Sequence, residues 1–552
     1  MIGMDMRKEN LAYVPTSISK HSNATRLYSD FLNAPEKTSE YFGPMFDDEA
    51  ALRLLFSQLQ ERDYPREALA LALEEMARDI DVPASVRTQI DNLRNRDSLV
   101  VFAGQQPGLF GGPLYSVYKA LTVERWATEL SDKFSVPVMP CFWLASDDHD
   151  FVEVDHIKVP DNMDITTVKY TPSQSPGKVP IGRITLDSTI GSLTKDLIDL
   201  FPSSEFSEDV LNILNETYTP GVTYPVAFAR LWYRMFPQSQ MVFVSPGYRS
   251  LKKLAEPVMR QALCDATRLF SIYDETSKRL ESNGYRRQVH KSPEQTFLFY
   301  QATERHSIHR DENDNYIWEG EKPVTTDHVC KLLAEKPEDF SGNVLLTPII
   351  QNRLFPTLGV VLGPSEISYY AQISDLHDYL DVPRPAIMPR TSVTLVKQNI
   401  CNRLLQYDIG LDALQQDVNH EITRILKTKF PDELDTLFHV AEQKIGTAFE
   451  EVKSTVEQYE PGLNKTAELA AIRAQHELQR LAKKTHAAHR RREANTEKQI
   501  RQLAIHLFPH GELQERCFNI VYYWSRFGPD FLTKLYKDWP VGAREHLIWT
   551  LE

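Results

Sequence analysis

The residues best suited to chemistry are four consecutive ionisable side chains, Asp147, Asp148, His149 and Asp150. They follow directly on the apolar run 136–146, which predicts a buried strand. Four ionisable side chains at the end of such a strand are difficult to explain as part of the hydrophobic core. Two chemistries fit: a metal ion held by carboxylates and imidazole, or a general base that deprotonates an amine. The alternative is a solvated loop that carries surface acids.

Within this cluster, His149 is the expected base because an imidazole titrates near neutral pH. A carboxylate is too weak a base unless burial raises its pKa. In an extended chain, Asp148 and Asp150 would point to the face opposite the ring, so neither would orient the imidazole. We therefore assign all three residues to catalysis and predict that one carboxylate, Asp148 in preference, holds the substrate amine.

A second candidate is the glycine-rich segment GQQPGLFGGPLYSVYK at 104–119, between a predicted strand and a predicted helix. Backbone N–H groups at a helix start favour a carboxylate or phosphate, and open α/β sheets bind ligands at the carboxyl ends of their strands. The segment is neither a GxGxxG fingerprint nor a Walker A loop, and a turn that only packs strand on helix is the alternative. Its candidate anion and substrate ligands are Gly104, Gln105, Gln106, Gly108, Gly111, Gly112 and Tyr115.

The helix after this loop should be capped at Gly112, with Pro113 as its first residue. If the loop binds an anion, a bulky residue at Gly108 or Gly112 should weaken that binding. We expect such a substitution to leave the fold intact.

A third segment, NVLLTPIIQNRLFPTLGVVLGPSEISYYAQI at 343–373, contains a further turn before a helix. Glu366, Tyr369 and Tyr370 fall within about one helical turn and could line a cleft, although tyrosines so spaced are more often packing residues. Arg390, at the end of PAIMPR, could hold a carboxylate through two parallel hydrogen bonds. Glu366, Tyr369 and Arg390 complete the candidate ligand set.

These segments lie on a predicted α/β core. A strand, a helix and a strand over 98–104, 113–130 and 136–146 make a βαβ unit, which implies a parallel sheet. The stretch 296–318 is typical of an antiparallel insertion with a turn. The predicted fold class is a Rossmann-like parallel sheet with inserted segments, joined to a helical coiled-coil domain. Further core strands are predicted at 241–246, 344–350, 356–364 and 385–390, with a helix over 366–379.

Apolar residues recur at alternating three- and four-residue steps over 438–459 and again over 467–488, with Pro461 and Gly462 between. This heptad rhythm, interrupted by a helix breaker, predicts an antiparallel coiled-coil hairpin. Its seam is small and partly polar, so packing against a second chain would stabilise it. We therefore expect a homodimer through this arm.

At 552 residues, the chain should fold as two or three units. The predicted parts are an N-terminal helical part of the core at 1–95, a catalytic core at 96–395 with insertions at about 160–235 and 280–340, a coiled-coil arm at 396–506, and a C-terminal segment at 507–552 that docks on the core.

The formal net charge of −14 disfavours nucleic acid as the main partner, since phosphate contacts dominate that affinity. No apolar run approaches the roughly 20 residues that a membrane helix needs, and the first residues carry no apolar signal core. Five scattered cysteines suit a reducing compartment and argue against a disulfide framework or a structural zinc site. We therefore expect a soluble cytoplasmic protein.

Together, five motifs resemble the bacillithiol biosynthesis cysteine-adding enzyme family. In chain order they are GQQPGLFGGPLY, FWLASDDHDFVEVDH, NVLLTPIIQNRLFPTLGVVLGPSEISYYAQ, IMPR, and LFPHGELQERCFNIVYYW at 507–524. Long motifs in a fixed order are far more specific than one glycine loop. The resemblance implies a Rossmann-like core related to nucleotidyltransferase and class I synthetase folds, two connecting-peptide insertions, and a coiled coil that mediates dimerisation.

The resemblance also implies an activity, a ligase that joins the carboxyl group of cysteine to the amine of glucosaminyl malate. A free carboxylate does not acylate an amine in water, so an activating cofactor is needed, with ATP or another nucleotide left open. The 104–112 loop could then hold the malate carboxylates or a nucleotide phosphate, and His149 or Asp148 could take the amine proton. Neutral hydrogen bonds that orient the sugar or cysteine could come from Gln105, Gln106 and Tyr115.

Two other functions are open at the level of sequence. A metal-dependent hydrolase centred on 148–150 would need a bound divalent cation. A non-catalytic coiled-coil protein would have no need of polar clusters at three strand ends. We therefore favour the ligase and predict no metal site.

Overall fold

The computed structural model describes residues 11–16, 26–161, 164–320 and 322–551. These residues form two compact units. The first comprises the described parts of 1–161, 165–395 and 514–549, and the second those of 162–164, 396–513 and 550–552. The four-part division expected from the sequence stays a prediction.

The first unit begins with a short strand and four helices. Leu52, Leu55 and Leu59 share one buried helix face, and Leu69 and Leu73 share another, as their three- and four-residue spacing predicts. The elements are β1 (Leu11–Thr16), α1 (Arg26–Asn33), α2 (Glu49–Glu61), α3 (Arg66–Ile80) and α4 (Ala84–Asn92).

The predicted βαβ unit follows, and each of its parts is confirmed. It consists of β2 (Leu99–Gln105), α5 (Leu114–Phe134) and β3 (Val138–Leu144). Between β3 and the next core strand lies a hairpin with three helices: β4 (His156–Asp161), β5 (Asp164–Lys169), α6 (Ile190–Ile198), α7 (Ser207–Thr217) and α8 (Tyr224–Met235).

The core resumes with β6 (Val242–Val244), α9 (Arg249–Cys264) and α10 (Ala266–Ser282). The antiparallel insertion predicted at 296–318 is confirmed, and it is part of a four-stranded sheet of order β10-β7-β8-β9. Its elements are β7 (Gln295–Tyr300), β8 (His306–Arg310), β9 (Tyr316–Ile317), α11 (Thr326–Glu335) and β10 (Phe340–Gly342).

The strand expected at 344–350 is wrong, because this stretch leads into a helix. The Asn343 side chain accepts hydrogen bonds from the backbone N–H groups of Leu345 and Leu346, and Pro348 stands in the first helical turn. A local cap and an early proline favour a helix start. The elements are α12 (Thr347–Leu354), β11 (Thr357–Leu362), α13 (Pro364–Gln372), α14 (Ser374–Tyr379), β12 (Ala386–Pro389) and β13 (Val393–Lys397).

The second unit is helical. Two long helices form the predicted hairpin, with a break at Pro461–Leu463 between them. None of the helices in the described parts of the chain is long and apolar enough to cross a membrane. The helices are α15 (Gln398–Tyr407), α16 (Leu411–Gln416), α17 (Val418–Thr428), α18 (Asp432–Tyr459), α19 (Asn464–Arg492) and α20 (Ala494–Leu507).

The chain ends with α21 (Gln514–Cys517), α22 (Ile520–Lys537) and β14 (His546–Leu551), and β14 lies between β1 and β13 in a three-stranded sheet. The core sheet has the order β12-β11-β2-β3-β6, and all its strand pairs are parallel. The chain builds outward from β2 through β3 to β6, then returns to the other side of β2 with β11. The Rossmann-like fold is therefore confirmed, with its topological switch point between β2 and β11.

Candidate active site

A cavity of about 600 Å³ opens at the carboxyl ends of β2, β3 and β11. This is the position at which open α/β sheets bind their ligands. The floor is apolar and includes Phe102 and Trp143. The opposite wall comes from the inserted segment 289–307 and from 342–351. The strand ends contribute the backbone of Gly104 and the polar side chains of Gln105, Gln106, Asp147, Asp148, Glu153 and Glu366.

A buried lysine joins the two strand ends at the switch point. Lys119 of α5 is only 2% exposed, and its Nζ lies 2.7 Å from Glu366 Oε2. The same Nζ donates to the Gly104 carbonyl oxygen at 2.8 Å and to Gln105 Oε1 at 2.9 Å. Burial lowers the pKa of Lys119, and the Glu366 charge opposes that shift. The ammonium thus fixes Gln105 and Glu366 relative to each other on the cavity wall.

Asp148 is held by side chains from two other segments. Its Oδ2 accepts a hydrogen bond from Gln106 Nε2 at 2.8 Å, and its Oδ1 accepts one from Arg305 Nη1 at 3.0 Å. The guanidinium of Arg305 stacks on Phe299, with Cζ 3.8 Å from the ring centroid. Charged hydrogen bonds of this kind fix the carboxylate in one orientation.

His149 lies beside this carboxylate and outside the cavity lining. Its Nδ1 is 3.5 Å from Asp148 Oδ1 and 3.5 Å from Arg305 Nη1. The expectation that Asp148 would face away from the ring is wrong, because β3 ends at Leu144 and the chain turns at 146–147 instead of staying extended. Burial lowers the pKa of His149 and the Arg305 charge lowers it further, against the opposing charges of Asp148 and Asp150, so the neutral form of the imidazole is favoured.

Asp147 faces a different cation. Lys252 Nζ, on α9, lies 2.6 Å from Asp147 Oδ2 and donates to the Phe340 carbonyl oxygen at 2.7 Å. Gln301 Nε2 donates to the other carboxylate oxygen at 3.1 Å. Burial lowers the pKa of Lys252, and Asp147 opposes that shift. Nearby, burial raises the pKa of Glu153, so this carboxyl group is a weaker acid than usual.

The glycine loop is held together by its own backbone. A Cβ atom on Gly108 would lie 2.6 Å from Gly112 Cα, and Gly112 has φ of +70°. The expectation that a bulky residue at Gly108 or Gly112 would leave the fold intact is therefore wrong. Backbone N–H groups that already donate to carbonyl oxygens are those of Leu109, Gly111, Gly112 and Leu114. Anion binding by this loop stays a prediction, with few backbone donors left for it.

The predicted site residues divide into two groups. Those that line the cavity are Gly104, Gln105, Gln106, Asp148, Glu366 and Tyr369. The rest lie outside its lining: Gly108, Gly111, Gly112, Tyr115, His149, Asp150 and Arg390. Tyr115 is nevertheless one contact away, because its hydroxyl accepts from Gln105 Nε2 at 3.3 Å. Arg390 is buried and pairs with Glu515.

Sequence reasoning missed four cations: Lys119, Lys252, Lys291 and Arg305. Lys119 did give a signal, since a lysine among the apolar residues of one helix marks a charge that must be paired inside. Lys252 follows the apolar Leu251 in the sequence and gives the same kind of signal. No local pattern marks Lys291 or Arg305, because only the pairing of the inserted strands brings them to the cavity.

Fold and site together define a class: a Rossmann-like α/β protein with a polar cavity at its switch point and a coiled-coil unit. The chain belongs to the BshC family of bacillithiol biosynthesis. Residues 7–391 match the family description "Bacillithiol biosynthesis BshC, N-terminal Rossmann-like domain", and residues 393–551 match "Bacillithiol biosynthesis BshC, C-terminal coiled-coil domain". The resemblance read from the five motifs is confirmed.

Similar proteins span nearly the whole chain. A "Putative cysteine ligase BshC" from Koribacter versatilis is 30% identical over 93% of this chain and 95% of its own length. Proteins of the same name from Salinibacter ruber and Geobacillus thermodenitrificans are 29% and 30% identical. The alignments cover 92% and 93% of this chain, and 93% and 95% of those proteins.

The hydrolase alternative finds no support in these relatives. In the parts of the chain that the structure describes, no three His, Cys, Asp or Glu side chains are grouped so that they could hold a metal ion. Two of the three carboxylates of the DDHD segment instead face protein cations, Arg305 at Asp148 and Lys252 at Asp147.

Arg390 should matter for stability. Its partner Glu515 is 1% exposed and otherwise accepts from the Ser392 hydroxyl and the Val393 N–H. Arg390→Met would leave that carboxylate buried without its counter-charge, so we expect a loss of about 3–5 kcal/mol in the free energy of unfolding. Urea denaturation followed by circular dichroism measures the shift of the first transition.

The matched control is Arg125→Met, which breaks an exposed Arg–Glu pair within α5. It should change the free energy of unfolding by less than about 1 kcal/mol. Equal denaturation midpoints for the two variants would contradict a stabilising role for Arg390.

Proposed function

We propose that this protein is a cysteine ligase of bacillithiol biosynthesis, which forms an amide between the carboxyl group of cysteine and the amine of glucosaminyl malate. Family membership carries the proposal, because relatives aligned over nearly their whole length bear the name "Putative cysteine ligase BshC". The polar cavity at the switch point supports it, since both reactants have groups of both charges and the cavity presents both.

The site residues can be given roles in this reaction. The amine is protonated in water and must lose a proton before it attacks a carbonyl carbon. Asp148, oriented by Gln106 and Arg305, is suited to accept hydrogen bonds from the ammonium. The neutral His149 beside it is suited to take the proton. Attack then forms the C–N bond as the activating group leaves the cysteine carbonyl.

The cysteine carboxyl must be activated first, and a nucleotide such as ATP would supply that chemistry. Neutral hydrogen-bonding side chains that line the cavity and could hold it are Asn343, Thr347 and Gln351. The loop at 104–112 is kept as a second candidate for an anionic group. We place the protein in the cytoplasm, because all five cysteines are free thiols and suit a reducing compartment.

A direct assay tests the proposal. The purified full-length chain, incubated with glucosaminyl malate, cysteine and ATP, should yield bacillithiol by mass spectrometry. A strain lacking the gene should accumulate glucosaminyl malate. Normal bacillithiol levels in that strain would refute the function.

His149→Ala should lower kcat/KM by roughly 10² or more, with substrate binding less affected. A base works in its deprotonated form, and the pKa of His149 is lowered from 6.5. The rate should therefore fall as pH drops through a value below 6.5, and the alanine variant should lose that acid limb.

The control for this prediction is His328→Ala, which removes an exposed imidazole on α11. Its rate and pH profile should match the wild type. An unchanged acid limb in His149→Ala would take this residue out of the mechanism.

We also propose that two chains pair through the coiled-coil hairpin. None of the side chains in α18 or α19 is buried within one chain. Apolar side chains that stay exposed there include Leu437, Val452, Ile472 and Leu481. A second copy of the chain would cover this surface and strengthen a seam that is weak alone.

Sedimentation of the wild type should therefore give twice the chain mass. Deleting 435–495, or replacing both Ile472 and Leu481 with Glu, should give a monomer, because charges in an apolar seam oppose association. Leu54→Glu, at an exposed leucine of α2, should stay dimeric. A monomeric wild type would rule out this assembly.

A further inference from the structure

The charges around the cavity are largely paired within the protein. Glu366 pairs with Lys119, Asp147 with Lys252, and Asp148 with Arg305. Each of these pairs brings a strand-end carboxylate and a cation within hydrogen-bonding distance. A ligand with a charged group would have to break one of them or find a charge that has no partner.

Lys291 is such a charge. It lines the wall opposite the strand ends, and no carboxylate oxygen of the described residues lies within 4.0 Å of its Nζ. Its partners are neutral: Nζ donates to the carbonyl oxygens of Gln295 and Thr296, the second at 2.8 Å. The ring centroid of Phe297 lies 4.6 Å away. Two of the three ammonium protons of Lys291 are thus used in hydrogen bonds, and its positive charge is left without a counter-charge.

The groups around Lys291 do not offer a counter-charge. Burial lowers the pKa of Lys291 to about 7, and the charge of Glu294 in the same segment opposes that shift. Across the cavity, the carboxylates of Asp147, Asp148 and Glu366 are paired with Lys252, Arg305 and Lys119, respectively. Other titratable groups on the lining are Glu153, His290, Tyr369 and Tyr370.

We propose that Lys291 binds an anionic group of the ligand, a carboxylate or a phosphate, which supplies the missing counter-charge. Two backbone carbonyls hold Nζ in place, and the third proton is free to meet the anion. The choice of ligand rests on the proposed function, in which a malate carboxylate or a nucleotide phosphate would take this place.

The proposal has a proton signature. A bound anion favours the charged amine, so it raises the pKa of Lys291, and binding above the free pKa takes up a proton. With a free pKa of about 7, binding at pH 7.5 should take up a substantial fraction of a proton. Affinity should fall as pH rises through this range.

Isothermal titration of the full-length protein at pH 7.5, in buffers of different ionisation enthalpy, measures both quantities. The probes are L-malate and ADP, each alone. Lys291→Met should bind the relevant probe at least tenfold more weakly and without proton uptake. Lys291→Arg should keep the affinity but lose the uptake, since arginine stays charged. Lys253→Met, at an exposed lysine of α9, should match the wild type.

The outcomes separate the two anions. If Lys291→Met loses malate binding, the anionic group that Lys291 binds is a carboxylate. If it loses ADP binding, the group is a phosphate. Wild type that binds neither probe, or proton uptake that persists in Lys291→Arg, would overturn the proposal. If the methionine variant fails to fold, the arginine variant still tests the proposal. Lys291-dependent binding in a protein with no ligase activity would reject the proposed function and keep this inference.

Discussion

The ammonium of Lys119 holds the two sides of the switch point together. Burying such a charge costs several kcal/mol unless a counter-charge and hydrogen bonds compensate. Here one carboxylate and two neutral oxygens do so, and they belong to α13 and to the last two residues of β2. Loss of any partner would leave a buried charge under-solvated. The strand end, the crossing helix and the returning helix are therefore fixed relative to one another before a ligand binds.

The same constraint operates after β3. Asp147 and Asp148 are adjacent, and two carboxylates so close would repel each other if neither had a cation. Lys252 comes from α9, and Arg305 from just before β8, so each carboxylate is turned toward a different element. The antiparallel insertion is thus part of the site. Its Phe299 and Arg305 stack, and that stack sets the direction of Asp148.

Local signals made most of the fold predictable. β2, β3 and β11 are short apolar runs that end in glycine or polar residues, and α18 and α19 follow a heptad rhythm. The helix at 347–354 was not predicted, because its apolar run is buried on several sides. The periodicity of apolar residues alone therefore could not distinguish a strand from a helix. The cations of the site were not predicted for another reason. Arg305 and Asp148 are 157 residues apart, and no local pattern encodes such a contact.

Arg305 acts on both members of the Asp148–His149 pair. Its guanidinium lies next to both, so it stabilises the aspartate anion and opposes a second cation on the imidazole. Burial is the larger cause of the lowered pKa of His149, and the carboxylates of Asp148 and Asp150 oppose the shift. A residue from the insertion thus adds to the effect of burial in lowering the pKa of the imidazole, and it also fixes the orientation of the neighbouring carboxylate.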